Sequence, residues 1–270
     1  MDENIIFPSY RKMLRFSFLI LLILISAHSF CQDNYEIQVY GSETVDKGST
    51  MIELHSNYTF SGTRVIENSV YPSHHILHET IELTHGFSEC FEIGFYLFNA
   101  LGSNGRSGYV GSHIRPRIAV PDKWNWPVGV SLSIEGGYQK KEYSEDDWSM
   151  EIRPIIDKTF EKFYVSFNPT FDKSLHGLNS NKGYIFSPNL KGSFAISRWW
   201  NMGVEYYGSV GTLFHFDPYQ VQQHALFVAA DFNFSPDIEF NMGYGFGLTK
   251  STDSNIFKII MGYRLNKKVK

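Results

Sequence analysis

Ionisable side chains recur at two-residue spacing along much of this chain, and the spacing limits the chemistry they can do. Glu53 and His55, His78 and Glu82, His113, Arg115 and Arg117, Glu135, Glu151 and Arg153, Lys191, Glu205 and Asp231 alternate with bulky apolar residues. Residues i and i+2 of a strand share a face, so these groups line one side of a sheet while the other side stays greasy. Mixed signs on one face suit two tasks: an ion-pair network that braces an interior, or a constriction whose fixed charges sort permeating solutes. Both readings remain open on the sequence.

Other chemistries are supported less well. His55, His78 and His113 could face inward together, and His74, His75, His78 and His85 cluster with Glu79 and Glu82. Transition metals take such ligands, yet no tight spacing fixes a site, and neither a metal nor a cofactor is assigned. The acidic Glu145-Asp-Asp147 reads as a solvated loop. Ser103-Asn-Gly-Arg-Ser107 resembles the serine segment of outer-membrane phospholipase A, where a histidine two residues before the serine takes its proton. Leu101 stands there instead, so no enzyme is expected.

The elements that carry these residues are strands. The alternation restarts about a dozen times, giving twelve expected strands: Met51 to Phe60, His75 to Thr84, Phe91 to Asn99, Val110 to Val120, Val128 to Tyr138 and Trp148 to Asp157, then Phe163 to Asp172, Tyr184 to Ala195, Met202 to Val210, His224 to Phe234, Ile238 to Leu248 and Asn255 to Leu265. With no helix to cover so many greasy faces, another sheet or lipid must. Charges on the opposite faces could not be buried in a sandwich unless densely paired, whereas inside a barrel they can be wet or paired across the lumen. Faces such as Phe91, Ile93, Phe95 and Leu97, or Leu226, Val228, Ala230, Phe232 and Phe234, are free of charge. Long connections (Ser61 to His74, Gln139 to Asp147, Gly211 to Gln223) alternate with short ones (Lys158 to Lys162, Ser235 to Asp237), the asymmetry of outer-membrane barrels. Tyr58, Trp124, Trp126, Trp148, Trp199, Trp200, Tyr206 and Tyr263 fall near strand ends, where aromatic girdles sit.

The expected fold is therefore an all-β transmembrane antiparallel barrel of about twelve strands. Residues 1–31 read as a cleaved signal peptide: Arg11, Lys12 and Arg15 precede the apolar run from Phe16 to Ile25, Met13 is an alternative start, and a lipid anchor on Cys31 is the competing reading. Residues 32–49 are expected to be a periplasmic N-terminal segment, 50–265 the barrel and 266–270 a basic tail. Cys90 is the one cysteine left after processing, so no internal disulfide is expected. A net charge of −4 leaves no basic footprint for nucleic acid. Pro116, Pro154, Pro169 and Pro188 fall within strands although proline removes a ladder donor. They are either bulges that bend the wall or, for Pro169 and Pro188, a gap between neighbouring strands through which an apolar solute leaves sideways.

Tyr35-Glu-Ile-Gln-Val-Tyr-Gly-Ser-Glu43, His113-Ile-Arg-Pro-Arg117, Glu151-Ile-Arg-Pro-Ile155, Phe167-Asn-Pro-Thr-Phe-Asp172 and Gly203-Val-Glu-Tyr-Tyr-Gly208 resemble segments of uncharacterised Gram-negative outer-membrane β-barrel proteins. The group is loosely similar to barrel transporters associated with uptake of aromatic compounds. The resemblance implies partners in the lipid bilayer, lipopolysaccharide and the barrel-assembly machinery, although Asn266-Lys-Lys-Val-Lys270 follows the last strand where an aromatic usually ends the chain. The expected function is a narrow passive channel or transporter for a small solute. The alternative is a closed barrel with a structural or surface-interaction role.

Overall fold

The computed structural model describes residues 34–103 and 105–265, so the expected signal peptide, Gln32 and the basic tail lie outside the described residues. Twelve strands form the wall: β1 (Thr50–Ser61), β2 (Ile76–Ser88), β3 (Phe91–Leu101), β4 (Gly108–Ala119), β5 (Gly129–Gln139), β6 (Trp148–Phe160), β7 (Phe163–His176), β8 (Ile185–Ser197), β9 (Trp200–Ser209), β12 (Gln223–Ser235), β13 (Ile238–Gly247) and β14 (Asn255–Leu265). Two-residue strands β10 (Gly211–Thr212) and β11 (His215–Phe216) make a small hairpin in the connection after β9, an element with too little alternation to be read from sequence. Each wall strand is antiparallel to its neighbours, and β1 pairs with β14 from Thr50↔Leu265 to Ser61↔Asn255, which closes the sheet into a barrel.

Closure follows from the alternation. In β2, His78, Thr80, Glu82 and Thr84 are buried inward while Ile81 and Leu83 are exposed on the outer wall. Ile114, Leu132, Ile134, Val204, Val228 and Phe246 continue that outer apolar surface. Twelve strands leave no unpaired edge, which satisfies the backbone in hydrocarbon, and the apolar girdle supplies the lipid contact. This is the architecture of a Gram-negative outer-membrane barrel.

The connections sort as expected, with one correction. At one end four turns have two residues each: Glu89 and Cys90, Glu161 and Lys162, Arg198 and Trp199, Pro236 and Asp237. Glu161 takes a left-handed φ of 53° there, the strain a tight hairpin imposes on a non-glycine residue. The fifth connection at this end, between β4 and β5, is long and holds a 3-10 turn at Asp122–Trp124, exposing Trp124 and Trp126. The other end carries longer loops throughout and is the extracellular end by that asymmetry.

The four prolines each interrupt one seam. In an antiparallel strand the N–H and C=O of a residue point to the same neighbour. β5 and β6 stay paired through Leu132↔Pro154, and β7 and β8 through Pro169↔Pro188. The missing donors of Pro154 and Pro169 therefore face each other across β6 and β7, where the ladder jumps from Ile152↔Phe171 to Ile156↔Phe167. The gap expected between the strands of Pro169 and Pro188 is thus corrected: that seam is unbroken, and the interruption lies one strand away. Pro188 turns its missing donor toward β9, whose pairing with β8 begins at Asn189↔Tyr207, and Pro116 toward β5, where the ladder skips from Ile114↔Gly136 to Arg117↔Ser133.

Two substitutions check this wall. Val228→Arg, on the outer face of β12, should lower the free energy of unfolding in lipid vesicles by about 2–4 kcal/mol; an unchanged urea midpoint would mean the face does not meet lipid. Pro154→Val combined with Pro169→Val restores two facing donors and should raise stability by roughly 0.5–1.5 kcal/mol per bond gained, whereas Pro169→Val with Pro188→Val supplies no facing pair and should give less.

Candidate functional site

The barrel interior is occupied by the chain's own N-terminal segment. Residues 34–46 run through the lumen in extended form from the loop end to the turn end, and the expectation of a periplasmic segment is corrected for these residues. The physical reason is a match of polar groups. An extended segment outside any ladder has unpaired N–H and C=O groups, which must find partners when buried, and the inward side chains supply them.

At the loop end Asn34 Nδ2 donates to Asp253 Oδ2 (2.8 Å), while Asn57 Nδ2 donates to the Asn34 carbonyl (2.9 Å). Burial pushes the carboxyl of Asp253, in the β13–β14 loop, above its ordinary value. Thr80 Oγ1 donates to the Tyr35 carbonyl (2.7 Å) and Lys258 Nζ to the Ile37 carbonyl (3.0 Å). Tyr40 is held from both sides: its N–H donates to Asn168 Oδ1 (2.8 Å), and its carbonyl accepts from Ser166 Oγ (2.6 Å) and Asn168 Nδ2 (3.1 Å). Asp157 accepts from the N–H and hydroxyl of Ser42 at 3.0 and 2.6 Å. Arg117 donates to the carbonyls of Gly41 (3.0 Å) and Glu43 (2.7 Å), and Glu92 accepts from the Val45 N–H (2.6 Å). Packing adds to these bonds: Ile37, fully buried, and Val39 join Tyr207, Phe227 and Ile256 in an apolar cluster.

The inward charges form paired groups. Arg115 reaches Glu82 (2.6 Å) and Glu92 (3.4 Å), and Arg117 reaches Glu92 (2.7 Å). Arg153 joins Glu151 (2.6 Å) to Glu36 of the N-terminal segment (3.0 Å). His113 contacts Glu135 (2.7 Å). Lys191 pairs with Asp231 (2.7 Å) and Glu205 (3.3 Å), and Glu205 also takes Lys258. The guanidiniums of Arg115 and Arg153 lie 5.0 and 4.8 Å from the Tyr40 ring centroid, close enough for cation–π attraction.

A cavity lies on each side of the segment. The upper, about 360 Å3, is lined by loop residues including Thr63, Arg106 and Lys182, and descends past His78, His113, Glu135, Glu151 and Arg153 to Gln38. The lower, about 180 Å3, is lined by Lys191, Glu205, Asp231 and Glu239, and it too touches Gln38. Next to Asp146, which lines the upper one, the hydrogen bond with His176 (2.5 Å) holds the Asp147 carboxyl below its ordinary value.

This arrangement divides the residues singled out from sequence. His78, His113, Glu135, Glu151, Arg153, Lys191, Glu205 and Asp231 line the cavities. Glu53, His55, Glu82, Arg115 and Arg117 line neither and are buried, with Arg115 and Arg117 set against the segment. The three histidines are not together: His78 stacks edge-on to Tyr35 and His113 to Phe98, both at 4.8 Å between centroids, while His55 faces Glu82. Sequence reasoning missed Asn34, Glu36, Tyr40, Ser166 and Asn168 as lumen anchors. The signal was present in Tyr35-Glu-Ile-Gln-Val-Tyr40, which alternates like a strand yet has no turn joining it to a partner.

No family model and no curated protein matches the sequence. Among solved structures the chain is similar to the NanC porin (TM-score 0.53, 10% identity, 79% of this chain and 100% of that one) and the KdgM porin (TM-score 0.50, 11% identity, 79% and 98%). At such identity the likeness shows the fold, that of an outer-membrane porin barrel.

Arg117→Met removes one partner of Glu92 together with both bonds to the segment's carbonyls. Urea unfolding of the refolded protein should show a loss of roughly 3–5 kcal/mol, against less than 1 kcal/mol if the interior were water-filled and the segment outside.

Proposed function

We propose that the chain is an outer-membrane channel for a small polar solute, held closed by its own N-terminal segment. The observation that carries this reading is the pair of cavities meeting at Gln38: the barrel has a chamber lined by polar and charged groups on each side of the segment, which is the septum between them. Solute entering from outside would meet Tyr35, Tyr71, Tyr143 and Tyr207 in the upper chamber. Tyrosine offers an apolar ring with a polar tip, which supports a small polar aromatic solute, in line with the loose similarity between the barrels that the sequence resembles and transporters of aromatic compounds.

The paired charges along the two chambers serve as the constriction once the septum moves. Carboxylates outnumber Lys and Arg along the two chambers even with Arg106, Lys173 and Lys182 of the upper one counted, so the opened path favours cations. Burial of Ile37 and Val39 stabilises the closed state by roughly 1.5–3 kcal/mol each, and the segment stays in place until solute or an outside pull offsets that. The interrupted β6–β7 ladder lies behind Asn168, which holds Tyr40, so the wall is weakest where the septum is fastened. Lipid, lipopolysaccharide and the barrel-assembly machinery are the partners this reading implies. The same tight packing supports a second reading, a permanently closed barrel whose loops bind at the surface.

Planar-bilayer recording separates the two. The full chain should be nearly silent, and deletion of residues 34–46 should give steady, cation-selective conductance. A deletion variant that folds, by circular dichroism and heat-modifiable gel mobility, yet stays silent would remove the channel reading.

A further inference from the structure

Glu53 and Glu82 stand directly opposite each other in the β1–β2 ladder, both inward and both buried. Like charges directly opposite are destabilising, and here only one of the two is compensated. Arg115 Nη2 holds Glu82 Oε1 at 2.6 Å, and Arg115 and Arg117 share Glu92. Two guanidiniums thus neutralise Glu82 and Glu92, leaving the charge of Glu53 uncompensated.

His55, two residues along β1 and fully buried, is aimed into the same place. Its Nδ1 has no hydrogen-bond partner, and its Nε2 faces Glu82 Oε2 only across a long contact outside good hydrogen-bond geometry. A buried imidazole without a good hydrogen bond is costly, and it is an observation independent of the facing carboxylates. Nε2 of His55 lies 3.4 Å from Glu82 Oε2, and one ligand atom from each of Glu53, His55 and Glu82 falls within 4.8 Å of the others. About 3.4 Å is the edge of a tetrahedron whose metal–ligand bonds are about 2.0–2.1 Å. Arg115, by holding the other oxygen of Glu82, fixes that carboxylate in the way outer-shell groups orient metal ligands.

We propose that Glu53, His55 and Glu82 bind a divalent first-row metal ion, with zinc as the type case, pinning β1 to β2 inside the wall. One imidazole and two carboxylates match that class, with a position left for water. The ion would supply the missing positive charge and give both His55 and Glu82 Oε2 a partner. The lower chamber adjoins the site: Glu239 lines it and shares the partner residue Gly262 with Glu53, and the flexible Met51 side chain fills the space over Gly262, so entry of the ion requires Met51 to move aside.

The test uses the full chain refolded in detergent micelles with and without zinc, desalted, and assayed for bound metal by mass spectrometry and chelator competition. The result expected is one equivalent of tightly held zinc, lost in Glu53→Gln and His55→Ala with affinity reduced by more than about 100-fold, and kept in His78→Ala, whose ring lies in the upper chamber. Should the ligand variants fail to refold, cobalt replaces zinc in the unaltered chain, and visible absorption characteristic of a tetrahedral nitrogen and oxygen site is expected. A folded barrel that takes up no zinc, zinc retained in His55→Ala, or no visible cobalt band overturns the proposal and leaves a proton shared between Glu53 and Glu82 as the way their repulsion is relieved.

Discussion

The interior depends on one constraint: an extended segment of backbone, buried outside any ladder, must have its N–H and C=O groups satisfied by side chains. Hydrogen bonds to charged groups contribute more than neutral ones, and an unmet buried group costs about 1–3 kcal/mol. Arg117, Lys258, Asp157, Glu92, Asn168 and Ser166 meet that demand from five strands of the wall. The segment in turn lets a crowded set of charges be buried at all, since Glu36 completes the coordination of Arg153, and Tyr40 offers its ring to Arg115 and Arg153. Septum and lumen charges are thus one structure, and neither would hold its form without the other.

That interdependence explains what could be read in the chain beforehand. Strand positions and the direction each face points were legible because the side-chain period of two is a local property, and a one-residue slip would have put Glu82 or Arg115 into lipid. All twelve wall strands lie within a few residues of their expected places. The pairing of the charges was only partly legible: Lys191 with Asp231 joins β8 to β12 over the intervening β9, and such partners are fixed by which strands come to flank a shared neighbour. The septum was not legible as a septum. Ile37 and Val39 alternate with polar residues as strand residues do, but nothing local says whether such a segment joins the sheet or threads through it.

The prolines show the same division. Their presence in strands marked the wall as locally weak, but which seam is weakened depends on which neighbour each missing donor faces, and that follows from the register. Pro154 and Pro169, not Pro169 and Pro188, oppose their missing donors. The interruption sits on the strands that carry Arg153, Asp157, Ser166 and Asn168, four of the groups that bind the septum. Wall weakness and septum attachment therefore coincide on one side of the barrel.

The central claim is that residues 34–46 occupy the lumen, and amide hydrogen exchange on the refolded protein tests it most directly. The N–H groups of Tyr40, Ser42 and Val45 each donate to an inward-facing side chain of the wall. They should exchange at least about a hundredfold more slowly than unstructured chain, in the range of the wall strands. Exchange of all three at unprotected rates, beside a well-protected wall, would contradict the account.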